Sequence, residues 1–373
     1  ALSSQIDADW RDSPYSTEQP EGFLRHATDF FTSERALRLH RQKLRYSAAR
    51  WGSSPALAWW GVITEGEWVE PYHRGIGAAR PNKNSVSWMP QPYKTRKHQG
   101  VFVDWLDGMS SFLMRTDAHS HPASGHFSNP GNGIEAWQKP NLQIVHNNAY
   151  TYFVGVWNKT PTSRATGCAD VIHIFADEYQ KIAPNKPIVI GEWGGHVLRN
   201  KESHLIAELH TGLWSMVMTR ATGPTGYWWW NLIDTKDLYG QFKAIANFSE
   251  GEDRRGKDHI GSRASLRFSD GGTSRKGLVL SERDHLYAYI YHNNINRRTD
   301  SYVASGFNDD NFPKSGKGFL TAPSNLEDGD YTVEYWDTFA GKPIGSKPVS
   351  ISSSQRDIPL MNHRVDLALK LKR

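Results

Sequence analysis

Pro187-Ile188-Val189-Ile190-Gly191-Glu192-Trp193-Gly194-Gly195 is an apolar run that ends in a carboxylate and a glycine turn. Three consecutive β-branched residues predict a strand buried on both faces, the pattern of a parallel sheet covered by helices. Ala56-Leu57-Ala58-Trp59-Trp60-Gly61-Val62-Ile63-Thr64-Glu65 repeats the design upstream, again closing an apolar run with an acid. A carboxylate at the C-terminal tip of such a strand is where a (β/α)8 barrel keeps its chemistry. These two tips set the expected fold.

Working outward, Ser33 reads as the N-cap of a helix reaching about Trp51, with Leu37, Leu44, Ala48 and Trp51 on its apolar stripe. Arg35, Arg38, Arg41, Lys43 and Arg45 form its solvated face. Gly52 and Pro55 stop it before the Glu65 strand. Residues 101–115 read as a helix or strand–helix passage, 121–128 and 141–150 as strands, and 169–182 as a helix. Beyond Glu192 come a helix over 205–220 and a strand over 225–232 that carries Trp228-Trp229-Trp230. The alternation is that of an α/β protein with a parallel sheet.

Between the two acids there is room for three βα units of about 40 residues each. Glu65 then ends strand 4 of a TIM-type barrel, Glu192 ends strand 7, and the tryptophans lie on strand 8. Strands 1 to 3 have no counterpart in these 373 residues. A barrel lacking them has two open edges. The expected partner is therefore a second polypeptide supplying strands 1–3, the alternative being a fragment of a processed precursor. From about residue 262 the pattern changes. Leu278-Val279-Leu280, Leu286-Tyr287-Ala288-Tyr289-Ile290-Tyr291 and Tyr331-Thr332-Val333-Glu334-Tyr335-Trp336 are short runs separated by Gly- and Asp-rich turns. The expected domains are the C-terminal portion of a barrel over 1–261 and an all-β, sandwich-like module over 262–373.

The chain holds 15 Trp, 15 Tyr and 15 Phe, an aromatic excess that suits stacking on sugar rings and equally suits a large core. Its single cysteine, Cys168, excludes an internal disulfide and a zinc site built on several thiolates, and reads as core. No pair of histidines has the spacing of metal ligands, so neither metal nor cofactor is expected. A net charge of +5 fits an acidic polymer no better than a spread of solvated lysines. No nucleic-acid motif and no apolar run of membrane-spanning length are present. The first residues lack a signal peptide's basic start and apolar stretch, as a mature secreted chain also would. Asn158-Lys159-Thr160 and Asn247-Phe248-Ser249 are glycosylation sequons.

Several segments together resemble the clan of retaining glycoside hydrolases with (β/α)8 barrels that includes the family-5 cellulase and mannanase group. Arg45-Tyr46, Ala49-Arg50-Trp51-Gly52 and Ser54-Pro55 look like the lead-in to strand 4 of bacterial members. Gly191-Glu192-Trp193-Gly194 is similar to the nucleophile strand, and Tyr227-Trp228-Trp229-Trp230-Asn231 to the last strand, whose Trp commonly floors the sugar subsite. The likeness covers about residues 10–250. One departure is clear: the family's Asn before the strand-4 acid, which binds the substrate 2-hydroxyl, is Thr64 here.

The resemblance implies hydrolysis of a polysaccharide or oligosaccharide by double displacement, with Glu192 as nucleophile and Glu65 as acid and base. Glu67 and Glu70 are the reserve acids. Tyr150 is expected to hydrogen-bond Glu192, with Tyr152 its rival. Trp230 is the expected stacking platform, Trp228 shares its face, and Trp193 and Thr64 join the substrate contacts. His126 and His146 are placed toward the cleft on strands 5 and 6, a satisfied core histidine being the competing reading. Such a function implies a secreted or periplasmic protein. Two other readings remain at this stage: a non-catalytic carbohydrate-binding protein on a degenerate barrel, favoured by Thr64 and the missing strands, and a transglycosylase using the same residues.

Overall fold

A computed structural model describes residues 10–66, 99–128, 133–150, 167–194, 202–223, 226–269, 271, 275–296, 312 and 314–373. The chain forms two compact units, Ala1–Asn148 with Tyr179–Gly191, and Ala149–Glu178 with Glu192–Arg373.

In the first unit, α1 (Glu34–Trp51) begins at Ser33, whose side chain accepts a hydrogen bond from the Ala36 N–H. Ala36, His40, Leu44 and Ala48 are its buried stripe, spaced four residues apart. The expected stripe therefore holds at Leu44 and Ala48 but not at Trp51, which is 52% exposed. The five basic residues of the opposite face are exposed as expected. Then come β1 (Trp60–Ile63), α2 (Gln99–Thr116), β2 (Ala123–Phe127), the short α3 (Ile134–Trp137) and β3 (Val145–Tyr150). After these, α4 (Cys168–Ile182), which belongs to the second unit up to Glu178, leads into β4 (Ile188–Gly194). β1 pairs in parallel with β2, and β2 with β3. The Val145 N–H donates to the Pro187 carbonyl at 3.0 Å, where β4 joins.

In the second unit α5 (Glu202–Val217) is followed by β5 (Gly226–Tyr227), α6 (Trp230–Thr235) and α7 (Tyr239–Ser249). Glu192 and Trp193 of β4 pair in parallel with Gly226 and Tyr227. The five-stranded sheet thus runs β1-β2-β3-β4-β5 in chain order, the succession that βα units produce and the partial barrel that the sequence implies. One element differs. The strand expected over 225–232 pairs only at Gly226 and Tyr227, with a last ladder bond from the Trp228 N–H to the Trp193 carbonyl at 3.0 Å. The Leu232 N–H then turns back onto the Trp229 carbonyl, so Trp230 opens a helix instead of continuing the sheet.

The all-β module consists of β6 (Ile260–Arg263), β7 (Ser265–Phe268), β8 (Arg275–Ser281), β9 (His285–His292), β10 (Gly318–Thr321), β11 (Gly329–Asp337), β12 (Lys342–Ile351), β13 (Asp357–Leu360) and β14 (Asp366–Lys372). They form a six-stranded sheet of order β12-β11-β14-β9-β8-β6 and a three-stranded sheet of order β13-β10-β7. Alternation explains the packing. Leu286, Ala288 and Ile290 of β9 join Leu320, Val333, Ile358 and Leu369 in the apolar core. Tyr287 and Tyr289 point the other way, where Tyr289 stacks on Trp214 of α5 with ring centroids 5.9 Å apart. β9 is buried on both faces for this reason. Cys168 lies wholly buried at the start of α4, as expected. Two residues on, the buried Asp170 carboxylate takes charge-assisted bonds from Arg263 at 2.6 Å and Lys276 at 3.0 Å, fixing α4 to the module.

Glu252, just beyond α7, sets one pH dependence. Burial opposes its ionisation, but hydrogen bonds from Lys370, Lys372 and Tyr287 prevail and hold the carboxyl down to about 2. A depressed carboxyl stabilises the fold fully above its ordinary value of 4.5, and that stabilisation is lost as pH falls through about 2. Glu252→Gln is therefore expected to lower the thermal midpoint at neutral pH, with the gap to wild type closing between pH 4.5 and about 2. Melting curves across that range test it; a gap that persists at the acid end rules the assignment out.

Candidate active site

Each unit brings one of the two expected acids to a strand tip. In the first, the chain leaves β1 through Thr64, which is exposed, into Glu65. Glu65 has φ +49°, a left-handed conformation that costs a non-glycine residue about 1 kcal/mol or more and persists only where surroundings enforce it. Here the Asn148 Nδ2 donates to Glu65 Oε1 at 3.3 Å. With its amide nitrogen committed to a carboxylate, Asn148 must accept through Oδ1, and the partner is His126 Nε2, which therefore carries the proton. The His126 ring stacks on His146 at 4.4 Å. Burial, reinforced by the neighbouring His126, pushes His146 down to about 3, so it is neutral under ordinary conditions.

Gly191 makes this packing possible. A Cβ at that position would lie 2.5 Å from His146 Nε2 and 2.8 Å from His126 Nε2. The glycine before Glu192 thus has a steric reason: only a bare Cα leaves room for both imidazoles.

In the second unit, the Tyr150 hydroxyl donates to Glu192 Oε2 at 2.8 Å, the contact expected from the sequence. Tyr150 is buried, and its ring meets Trp228 edge-on at 6.4 Å. Trp228 is 43% exposed, which gives it an open surface beside the tyrosine that holds Glu192. Trp230, the expected platform, sits at the start of α6 with 71% exposure. The expectation that Trp193 touches substrate is corrected: it is fully buried, tilted at 52° against Tyr227 with ring centroids 4.7 Å apart, and wedged over Gly212 of α5, where a Cβ would come within 2.0 Å of its ring. Side chains alternate along a strand, so Trp193 faces the helix layer because Glu192 does not.

Asn148 was not singled out from the sequence, although the period-2 rule that selects His146 and Tyr150 passes through it. Its partner Asn147 points the other way and donates to the Tyr179 hydroxyl. Glu67, Glu70 and Tyr152 lie outside the described residues. Tyr150→Phe removes a hydrogen bond to a charged group and is expected to lower kcat roughly 10- to 100-fold. Steady-state kinetics on a folded variant check it, and an unchanged kcat would remove Tyr150 from the site.

No protein-family model matches the sequence, and no match to a curated protein is found. Among solved structures, the chain is similar to a glycoside hydrolase family 30 subfamily 8 xylanase from Clostridium acetobutylicum, at 10% identity over 91% of this chain and 73% of that one, with a TM-score of 0.45. It is also similar to a glucosidase from Croceicoccus marinus, at 10% identity over 90% of this chain and 74% of that one, with a TM-score of 0.40. A third is a β-glucuronidase from Bifidobacterium dentium, at 13% identity over 53% of this chain, with a TM-score of 0.37. The matched part spans 28% of that enzyme's length. Among the described residues no helix is long and apolar enough to cross a membrane.

Proposed function

We propose that the protein is a retaining glycoside hydrolase acting on a polysaccharide or oligosaccharide, with Glu192 as nucleophile and Glu65 as acid and base. The observation that carries this reading is the Tyr150–Glu192 hydrogen bond at the tip of a parallel strand, 2.8 Å long. A phenol donating to a carboxylate oxygen fixes the direction in which the other oxygen can attack. Glu65, in a strained backbone and held by Asn148, is the partner acid.

In the first step Glu192 attacks the anomeric carbon while Glu65 gives its proton to the leaving oxygen, and a glycosyl ester forms. Glu65, now ionised, takes a proton from water, which attacks the same carbon and releases Glu192. The same carboxyl thus serves as acid in the first step and base in the second, the exchange of roles that double displacement requires. Trp228 provides the apolar platform, with Thr64 in place of the 2-hydroxyl ligand and Trp230 beyond the sheet. The reading includes a secreted or periplasmic location.

The test is a panel of aryl glycosides and polysaccharides with the product anomer followed by NMR. Retention of configuration is expected, and transfer to added acceptor sugars would assign a transglycosylase of the same chemistry. Full activity in Glu192→Ala, or an inverted product, would overturn the proposal.

A further inference from the structure

Away from the two acids, three potential ligands converge at one end of the β module: His259, Glu282 and His285. Their ligand atoms all lie within 4.8 Å of one another. His259 immediately precedes β6, one step beyond the cross-strand pair Ile260–Ser281, which puts it beside Glu282. Glu282 and His285 are positions one and four of the turn joining β8 to β9, closed by a bond from the Glu282 N–H to the His285 carbonyl at 2.9 Å. The site is therefore built from two ends of paired strands rather than from a mobile side-chain cluster.

The distances are informative. His259 Nε2 and His285 Nε2 are 3.3 Å apart, and His285 Nε2 and Glu282 Oε2 are 3.4 Å apart. Ligands bonded at about 2.0–2.1 Å to a tetrahedral ion stand about 3.3–3.4 Å from each other. Two edges of such a tetrahedron are thus present. The proton arrangement points the same way. His285 Nδ1 lies 2.6 Å from Asp284 Oδ1, so Nδ1 carries a proton for that carboxylate. With Nδ1 turned to Asp284, the ring aims Nε2 at both Glu282 and His259, the direction from which a shared cation would be held. A carboxylate on the far nitrogen is also how metal-bound histidines are commonly oriented. Both histidines are largely buried, at 5% and 8% exposure, which limits the positions their rings can take.

We propose that His259, His285 and Glu282 form a binding site for a borderline divalent transition-metal ion, Zn2+ in the first instance, that staples β6 to the β8–β9 turn. Two imidazoles and one carboxylate suit such an ion, whereas Mg2+ and Ca2+ take oxygen donors. The Lys257 ammonium now lies 3.5 Å from Glu282 and is the charge a metal would displace. His259 also lines a cavity of about 900 Å³. His285 lines a second, of about 400 Å³, and between them these give an entry path and room for a water as fourth ligand. The sequence reading expected no metal because it paired histidines with histidines nearby. The ligands here are 26 residues apart in their two histidines and join only through strand pairing.

The experiment uses the full chain, stripped with a chelator and titrated with Zn2+ against a chromophoric competitor. One equivalent bound, a raised thermal midpoint, and no response to Mg2+ or Ca2+ are expected. Co2+ should give the intense visible absorption of a tetrahedral site. His259→Ala and His285→Ala should each weaken Zn2+ binding by more than about 100-fold, and Asp284→Asn by about 10- to 100-fold. Lys257→Met should tighten it. Absence of stoichiometric Zn2+ uptake by wild type, or equal uptake by a His259→Ala/His285→Ala double variant, would overturn the site. If that variant does not fold, the wild-type Co2+ spectrum decides: a weak octahedral spectrum rejects the proposal.

Discussion

Glu192→Gln is expected to reduce kcat by at least about 10³-fold while leaving the fold intact. The amide keeps the shape of the side chain and can still accept from the Tyr150 hydroxyl, so packing at the strand tip is preserved. On the proposed mechanism, what disappears is the electron pair that forms the bond to the anomeric carbon. A loss of that size corresponds to about 4 kcal/mol of transition-state stabilisation, more than a lost hydrogen bond supplies. The shorter Glu192→Ala variant leaves space beside the sugar, and added azide should restore turnover and yield a glycosyl azide of inverted configuration. Glu65→Ala should behave differently. With a leaving group acidic enough to depart unprotonated, its first step survives and its second is slow, and azide should give a product of retained configuration. If both variants respond identically, the assignment of roles fails even though both residues matter.

Much of this was legible before any coordinates. Three β-branched residues before Gly191 identify a strand because few other structures bury such a run, and Ser33 caps a helix because its oxygen meets an orphan N–H. Tyr150 was expected to bond Glu192 from the strand before it, and its hydroxyl donates there. Local pattern fails where tertiary contacts take over. Nothing in Trp228-Trp229-Trp230 says that the ladder stops at the first of them, because that depends on whether β4 still has a carbonyl to offer. Trp193 looked like a sugar contact because tryptophans commonly are. Its burial over Gly212 depends on a helix approach that no local pattern encodes. Asn148 and the Glu282 turn were missed for a related reason: each acquires meaning only from a partner on another strand.

The Gly212 approach links the β module to the Glu192 strand, and it motivates the prediction with the largest effect on stability. α5 is buried on nearly all sides. One side receives the Trp193 ring at Gly212. On the opposite side His210 donates to Asp366 at 2.8 Å and stacks on Phe339 at 4.0 Å, and the Trp214 indole donates to the Thr338 carbonyl. Asp366 also accepts from the Tyr289 hydroxyl at 2.8 Å and from the Thr338 hydroxyl. Its carboxylate is 2% exposed and so satisfies three buried donors at once. Asp366→Ala leaves them all unpaired in a low-dielectric setting and is expected to cost about 3–5 kcal/mol. Asp366→Asn, which retains the volume and one acceptor oxygen, should cost less. Urea unfolding of the two variants measures the difference. Because α5 presses on Trp193, the alanine variant should also lose turnover at temperatures where its module remains folded, as Glu192, the adjacent residue, loses its fixed position. Stability unchanged within about 0.5 kcal/mol would show that the module is carried on the barrel helices without supporting them.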